Sequence, residues 1–356
     1  MVYVGFWVGV PFASLLLGDV WRLLSPWRAL GRATGWIAGS ASGGGDLPPP
    51  LAYPERLGRW PAFAGLLGFG ICELAWGAAK DPTTLAVLML GYFVVMLVGM
   101  SLYGVEAWSR NGDAFGVYFG LFAALAPLAR RAGVLVARLP AIGAVLIDTQ
   151  PGTTAVLLGG IGITAFDGAA EGPLFNDALP HLQDFFSSLG FQLSTALELG
   201  FVVGLLVTVA VIGLIWAVAV RGMPPVGDPP RRPGRAMAHS LAPILAAYVV
   251  AHYFSLLAYN GQDLWRLASD PLGQGSDLFG GAGAAINYGV VSATAIWYVQ
   301  VAALVIGHVT GLVLAHDRAL ALYGSHRGAT RSQVVMLVVM VCFTCLGLYL
   351  LSAANG

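Results

Sequence analysis

Apolar residues run through this chain in blocks of membrane length, separated by short polar, Pro-rich or Gly-rich connections. A bilayer core takes about 20 apolar residues in a helix rising about 1.5 Å per residue. Eight blocks meet that length: 2–20, 61–79, 83–105, 149–167, 194–220, 238–258, 290–315 and 333–352. The pattern predicts an all-α polytopic membrane bundle of about eight spans, forming one domain over residues 1–356. A ninth apolar block, 113–129 (DAFGVYFGLFAALAPLA), is short, holds Pro127 and runs into Arg130 and Arg131. A re-entrant or interfacial helix is expected there.

The connections supply orientation, because cytoplasmic loops collect Lys and Arg. With the N-terminus outside and 113–129 not spanning, sixteen of the eighteen basic residues fall inside; Lys80 and Arg266 alone fall outside. Residues 39–54 (GSASGGGDLPPPLAYP) and 222–235 (GMPPVGDPPRRPGR) then become cytoplasmic linkers, rich in turn formers and without periodicity. The connection 168–192 has no Lys or Arg and carries Glu171, Asp177, His181 and Asp184, so the outer face is acidic. The expected location is the plasma membrane, multi-pass.

Composition agrees: 57% of residues are hydrophobic and 10% charged, where a soluble domain carries about 25% charge. Mean hydropathy is +0.76. The net charge is zero and no basic tract occurs, so nucleic acid is not an expected partner. Cys72, Cys342 and Cys345 all lie within apolar blocks, which excludes a disulfide framework, and CFTC in the last block reads as packing. The first block lacks a basic leader and a cleavage site, so it reads as a span that begins abruptly. No internal repeat of the inverted-transporter kind stands out.

Candidate chemistry centres on 237–318, which holds four of the six histidines. Tyr248, His252, Ser255 and Tyr259 fall at i, i+4, i+7 and i+11, one face of a helix. Asn260, Gln262 and Asp263 follow at its outer end, opposite Asn287 and Tyr288, with Tyr298 on the next span. Ionisable residues inside a membrane are costly and mark function or interior packing. By depth, His252 shares the outer half with Glu73, Asp167, Glu171 and Glu198. One reading is an outward cleft with a divalent transition metal such as Zn²⁺ on His252, Glu73, Asp167 and Glu198. His252, Asp167 and Glu171 are then catalytic, and Tyr248, Tyr259, Asn260, Asn287, Tyr288 and Tyr298 bind substrate. The other reading makes Tyr248, His252 and Ser255 interhelical hydrogen-bonding groups and Tyr259, Tyr288, Trp297 and Tyr298 an aromatic belt. His308 cannot join His252 on one ion, since their depths differ by roughly 14 Å.

Six stretches, GDVWRLLSPWRALGRATGW (18–36), YPERLGRWPAF (53–63), FDGAAEGP (166–173), RAMAHSLAPILAAYVVAHYFSLLAYNGQ (235–262), SDPLGQGSDLFG (269–280) and SATAIWYVQVAALVIGHVTGLVLAHDRALALY (292–323), together resemble a family of actinobacterial polytopic membrane proteins labelled fenitrothion hydrolase. The resemblance spans nearly the whole chain. It implies metal-dependent hydrolysis of hydrophobic phosphotriesters, and a further apolar segment upstream. The residues leave two alternatives open: a cation or small-solute transporter or channel using Glu73, Glu198 and Asp167, and a non-catalytic subunit of a membrane complex. Expected partners are the lipid bilayer and a second membrane subunit or another copy of the chain.

Overall fold

The computed structural model describes residues 2–41, 49–131, 133–227 and 229–355. The expected linkers therefore lie partly outside the described residues, at 42–48 and at 228. The architecture is an all-α bundle. Its helices, in chain order, are α1 (Val2–Leu17), α2 (Val20–Leu24), α3 (Pro26–Ala41), α4 (Trp60–Leu74), α5 (Pro82–Tyr103), α6 (Val105–Asn111), α7 (Ala114–Leu125), α8 (Thr153–Ala169), α9 (Pro173–Ser188), α10 (Leu193–Gly222), α11 (Gly234–Asn260), α12 (Asp263–Ser269), α13 (Ala293–Tyr323) and α14 (His326–Asn355). Among the described residues the strands are β1 (Leu128–Arg131) and β2 (Val134–Ala137), a single antiparallel hairpin.

Five helical stretches are long and apolar enough to cross a bilayer: α5, α10, α11, α13 and residues Arg327–Tyr349 of α14. The pair α8 and α9 passes the same test only together, and it is bent by 89° at Ala170–Gly172. The expected spans 2–20 and 61–79 appear as the shorter apolar helices α1 and α4. Helix length thus supports five or six crossings where eight blocks were expected. α4 continues into a turn whose polar groups other side chains satisfy. The 3₁₀ turn Gly77–Lys80 accepts a hydrogen bond from Tyr3 Oη at Ala79 O (3.0 Å).

The block 113–129 becomes α7, and it is an interior element. Nine of its twelve residues are buried, among them Tyr118, Phe119 and Phe122. A buried helix leaves end groups that only protein can satisfy, and both ends of α7 are met. Asp113 caps the N-terminus: its Oδ1 accepts from the Phe115 amide (3.1 Å) and from Tyr92 Oη (2.7 Å), and its Oδ2 accepts from Trp21 Nε1 (3.3 Å). Arg138, at the foot of the hairpin, closes the C-terminus by donating to Ala123 O, Ala124 O and Ala126 O at 2.8–2.9 Å. Around α7 stand Phe6, Trp7, Trp21 and Phe69, with Phe6 on Phe115 and Trp21 on Phe119 of α7 and ring centroids 4.7–5.6 Å apart.

Between helices in lipid, burial of apolar surface gains little, and close packing with interhelical hydrogen bonds does more. α8 shows how the sequence meets this. Thirteen of its seventeen residues are buried, and Gly159, Gly160 and Gly162 let Phe63, Tyr118 with Leu245, and Val209 come so near that a Cβ would fall 2.7–2.9 Å from them. The pairing of α11 with α13 uses the same device: a Cβ on Gly307 would sit 2.3 Å from that of Ala247, and one on Gly311 2.8 Å from Ser240 O. α5 and α10 lie at the periphery, with less than a fifth of their spans buried, while more than half of α11 is interior. The two most enclosed long helices, α8 and α11, carry the polar groups described next.

Candidate acid–base site between helices 8 and 11

Asp167 stands in the last turn of α8, and His252 and Tyr253 lie in the C-terminal half of α11. Neighbouring residues on a helix point about 100° apart, yet both side chains converge on one oxygen. His252 Nε2 lies 2.9 Å from Asp167 Oδ2, and Tyr253 Oη donates to the same atom at 2.8 Å. Trp7 Nε1 of α1 reaches Tyr253 Oη at 3.5 Å. Trp7 is itself fixed by stacking on Tyr118, with centroids 5.0 Å apart, and by Phe69. Three helices distant in sequence thus hold one carboxylate.

An ionised Asp167 is satisfied by the His252 tautomer that carries its proton on Nε2, which leaves a lone pair on Nδ1. Among the described residues Nδ1 makes no hydrogen bond, and it faces Gly168, where a Cβ would stand 3.5 Å from it. The pair is not sealed: the His252 and Asp167 side chains keep 29% and 27% of their surface exposed. Such an imidazole can take up and return a proton while the carboxylate steadies its charged form.

Glu73, near the end of α4, supplies a second carboxylate. Its Oε2 is buried without a hydrogen-bond partner, and it feels the charge of Asp167. Tyr3, Tyr118 and Tyr253 in turn feel the charge of Glu73. The cluster is therefore Asp167, His252 and Tyr253 in direct contact, with the charge of Glu73 acting on Asp167 and Tyr253.

The other expected residues lie elsewhere. Glu198 accepts from the Gly77 amide through Oε1 (3.0 Å), joining the turn after α4 to the first turns of α10. Glu171 is exposed in the α8–α9 bend, where its carbonyl accepts from Asn176 Nδ2. Tyr248 is buried and donates to Phe343 O (2.8 Å), so it joins α11 to α14. Tyr259 donates to Val291 O and packs against Tyr288, while Asn287 and Gln262 exchange two hydrogen bonds at 3.0–3.1 Å. Together these fasten the 263–292 connection onto α11. Asn260 is partly exposed at that helix end, and Tyr298 faces outward beside Trp297. His308 is buried on α13 with Nδ1 against Leu304 O.

The expected metal set does not converge. His252 Nε2 is engaged by Asp167, Glu198 is engaged by a backbone amide, and among the described residues no three of His, Cys, Asp and Glu gather around one point. These donors do not fit a metal ion as arranged, and no step below uses one. Tyr253, Trp7 and Gly168 belong to the site without having been expected. Tyr253 had a signal in its position next to His252 inside an apolar block; Trp7 and Gly168 had none.

The face of α8 carrying Phe166 and Ala169, which flank Asp167 in the chain, opens on an apolar cavity of about 570 Å³ that the cluster residues themselves do not line. Phe175, Ala178 and Leu182 of α9 cover it and Val203, Gly204 and Val207 of α10 line it, with His181, Thr208 and Tyr349 as polar groups. The fold and this site define a multi-pass integral membrane protein with a partly exposed acid–base cluster inside the bundle. No known family description, characterised protein or solved structure matches the chain.

Proposed function

We propose that the protein is a membrane-embedded hydrolase of hydrophobic esters, phosphotriesters among them, with His252 as general base and Asp167 as the group that orients it. The observation that carries this reading is the Asp167–His252 contact at 2.9 Å, which leaves the other imidazole nitrogen unengaged on a partly exposed side chain. His252 Nδ1 takes a proton from water while the water oxygen attacks the carbonyl carbon or phosphorus. The ester oxygen departs with the electrons of the broken bond and receives that proton back from the imidazolium. The adjacent apolar cavity suits substrates that partition into the bilayer, and the family resemblance points to the same substrate class. In this reading the acidic end faces outward and the N-terminus lies outside.

The experiment is release of p-nitrophenolate from a p-nitrophenyl phosphotriester or carboxylic ester by protein in lipid nanodiscs, with His252→Gln alongside. Turnover that falls by about 10²–10⁴ in the variant supports the general base. Absence of turnover, or equal turnover in the variant, overturns it.

A second reading rests on Glu73. A buried carboxylate without a partner, coupled to another, is also how proton and cation pathways are built. Under that reading cation flux into proteoliposomes is present and is lost in Glu73→Gln, while ester turnover is absent.

A further inference from the structure

The end of the bundle opposite the acid–base site holds a concentration of positive charge that neither reading uses. Glu106, in α6, accepts from Arg28 Nη2 at 2.7 Å through both oxygens and from Arg32 Nη2 at 2.6 Å, and Arg22 Nη2 stands 3.9 Å away. Three guanidinium groups therefore share one carboxylate. Among the described residues Asp19 is the other acid whose charge acts on these arginines, and its Oδ1 is engaged by the Arg22 amide as the cap of α2. Counting both acids, the group still carries a net positive charge.

The three arginines are not equivalent. Arg28 is a platform: its side chain is 9% exposed, its Nη1 reaches Arg22 O, and its Nε is buried without a partner. Arg22 and Arg32 are 61% and 63% exposed and reach the same carboxylate from open solvent or headgroup space. On an exposed surface a single carboxylate does not saturate ten guanidinium N–H groups. An anion with several acceptor oxygens can bridge two such forks.

The surroundings identify the anion. Leu23, Leu24, Leu30 and Ile37 are exposed beside the arginines, at 72%, 66%, 43% and 58%. Leu30 and Ile37 lie seven residues apart on one face of α3, and Arg28 and Arg32 lie on the opposite face. Trp27 packs on the middle of α5 through Tyr92 and Phe93, with centroids 5.8 and 5.7 Å away, and one turn on, Gly31 lies so close to Met100 in the last turn of that lipid-facing span that a Cβ would fall 2.6 Å from its sulfur. A helix with an apolar exposed face, a basic face and a contact that reaches the end of a span lies at headgroup depth.

We propose that Arg22 and Arg32, which flank the Arg28–Glu106 pair and share its carboxylate, bind the phosphate of an anionic phospholipid headgroup in competition with that carboxylate, with Leu23, Leu30 and Ile37 against its acyl chains. The test is thermal unfolding and native mass spectrometry of the whole protein in detergent, titrated with phosphatidylglycerol, phosphatidylcholine or inorganic phosphate. The expected result is a preference for phosphatidylglycerol over phosphatidylcholine of roughly tenfold or more, the size two surface guanidiniums provide. Arg22→Gln with Arg32→Gln, which leaves the Arg28–Glu106 pair in place, should abolish the preference. Glu106→Gln, which removes the competing carboxylate, should keep or strengthen it, and this arm decides if the double variant does not fold. Equal response to the two lipids overturns the proposal, as does an unchanged preference in the double variant or loss of preference in Glu106→Gln. Stabilisation by inorganic phosphate equal to that by phosphatidylglycerol assigns the arginines to a soluble anion and overturns it as well.

Discussion

His252 Nε2 and Asp167 Oδ2 lie 2.9 Å apart although 85 residues separate them in the chain. The contact joins the two most enclosed long helices, α8 and α11, at the level where both side chains remain partly exposed. It fixes the imidazole tautomer and turns Nδ1 toward Gly168. Chemistry assigned to either residue alone is incomplete.

Asp167 and His252 are expected to act as a unit. Asp167→Asn should lower ester turnover by a similar order to His252→Gln, because the amide no longer selects the tautomer with a free Nδ1. The double variant should be little worse than either single one, since the second change removes a group already out of action. Steady-state kinetics of the three variants in nanodiscs checks this; additive losses would separate the two residues.

Gly168 sets the space beside the ring. An added Cβ would stand 3.5 Å from His252 Nδ1 and Cε1, an ordinary van der Waals distance. Gly168→Ala should therefore keep at least about half of the turnover, whereas Gly168→Leu should displace the ring at an overpacking cost of about 1–3 kcal/mol and lose turnover. Circular dichroism of both variants distinguishes ring displacement from failure to fold.

Arg138 closes a buried helix end. Arg138→Met keeps much of the apolar stem but strips three donors from the carbonyls of Ala123, Ala124 and Ala126. Ala123 O keeps the Ala126 amide (3.3 Å), while the carbonyls of Ala124 and Ala126 lose this donor, at about 1–3 kcal/mol for each buried carbonyl left unsatisfied. The melting temperature in detergent should drop by several degrees or more, with ester turnover per folded molecule unchanged, because Arg138 does not touch the acid–base cluster.

Glu106 should make the arginine-rich end sensitive to acid. The hydrogen bond from Arg32, followed by that from Arg28 and the charges of both, holds its carboxyl below the usual carboxylate range. A carboxyl lowered on folding stabilises the folded state fully above its unfolded value of about 4.3, and that contribution is lost as the pH falls through the lower folded value. Glu106 is about half exposed, so the contribution should be about 1 kcal/mol or less. Melting curves from pH 6 to about 3 should show this component in the native protein and not in Glu106→Gln.

Helix positions and the placement of Asp167, Glu73 and His252 at one depth were legible because they depend on local properties. A run of about 20 apolar residues has one stable form in lipid, and depth along a helix follows from counting. Partners across helices were not legible. Glu106 has Arg110 at i+4, the spacing of a helical ion pair, yet it binds Arg28 and Arg32 of another helix. Tyr248 and His252 share a face one turn apart, yet Tyr248 reaches α14 and His252 reaches α8. Block 113–129 looked interfacial because it is short and meets arginines, while α7 is interior because Asp113, Tyr92 and Arg138 satisfy its ends.

By itself, the sequence determined that the chain forms an α-helical membrane bundle, because hydropathy and helix rise act within one segment. Only the tertiary structure decided which polar groups meet. In lipid an unpaired polar group has no water to fall back on, so each takes whatever partner the packing of the other helices brings within about 3 Å. Glycines such as Gly159 and Gly307 permit that packing, but nothing in their own neighbourhood names the helix that arrives.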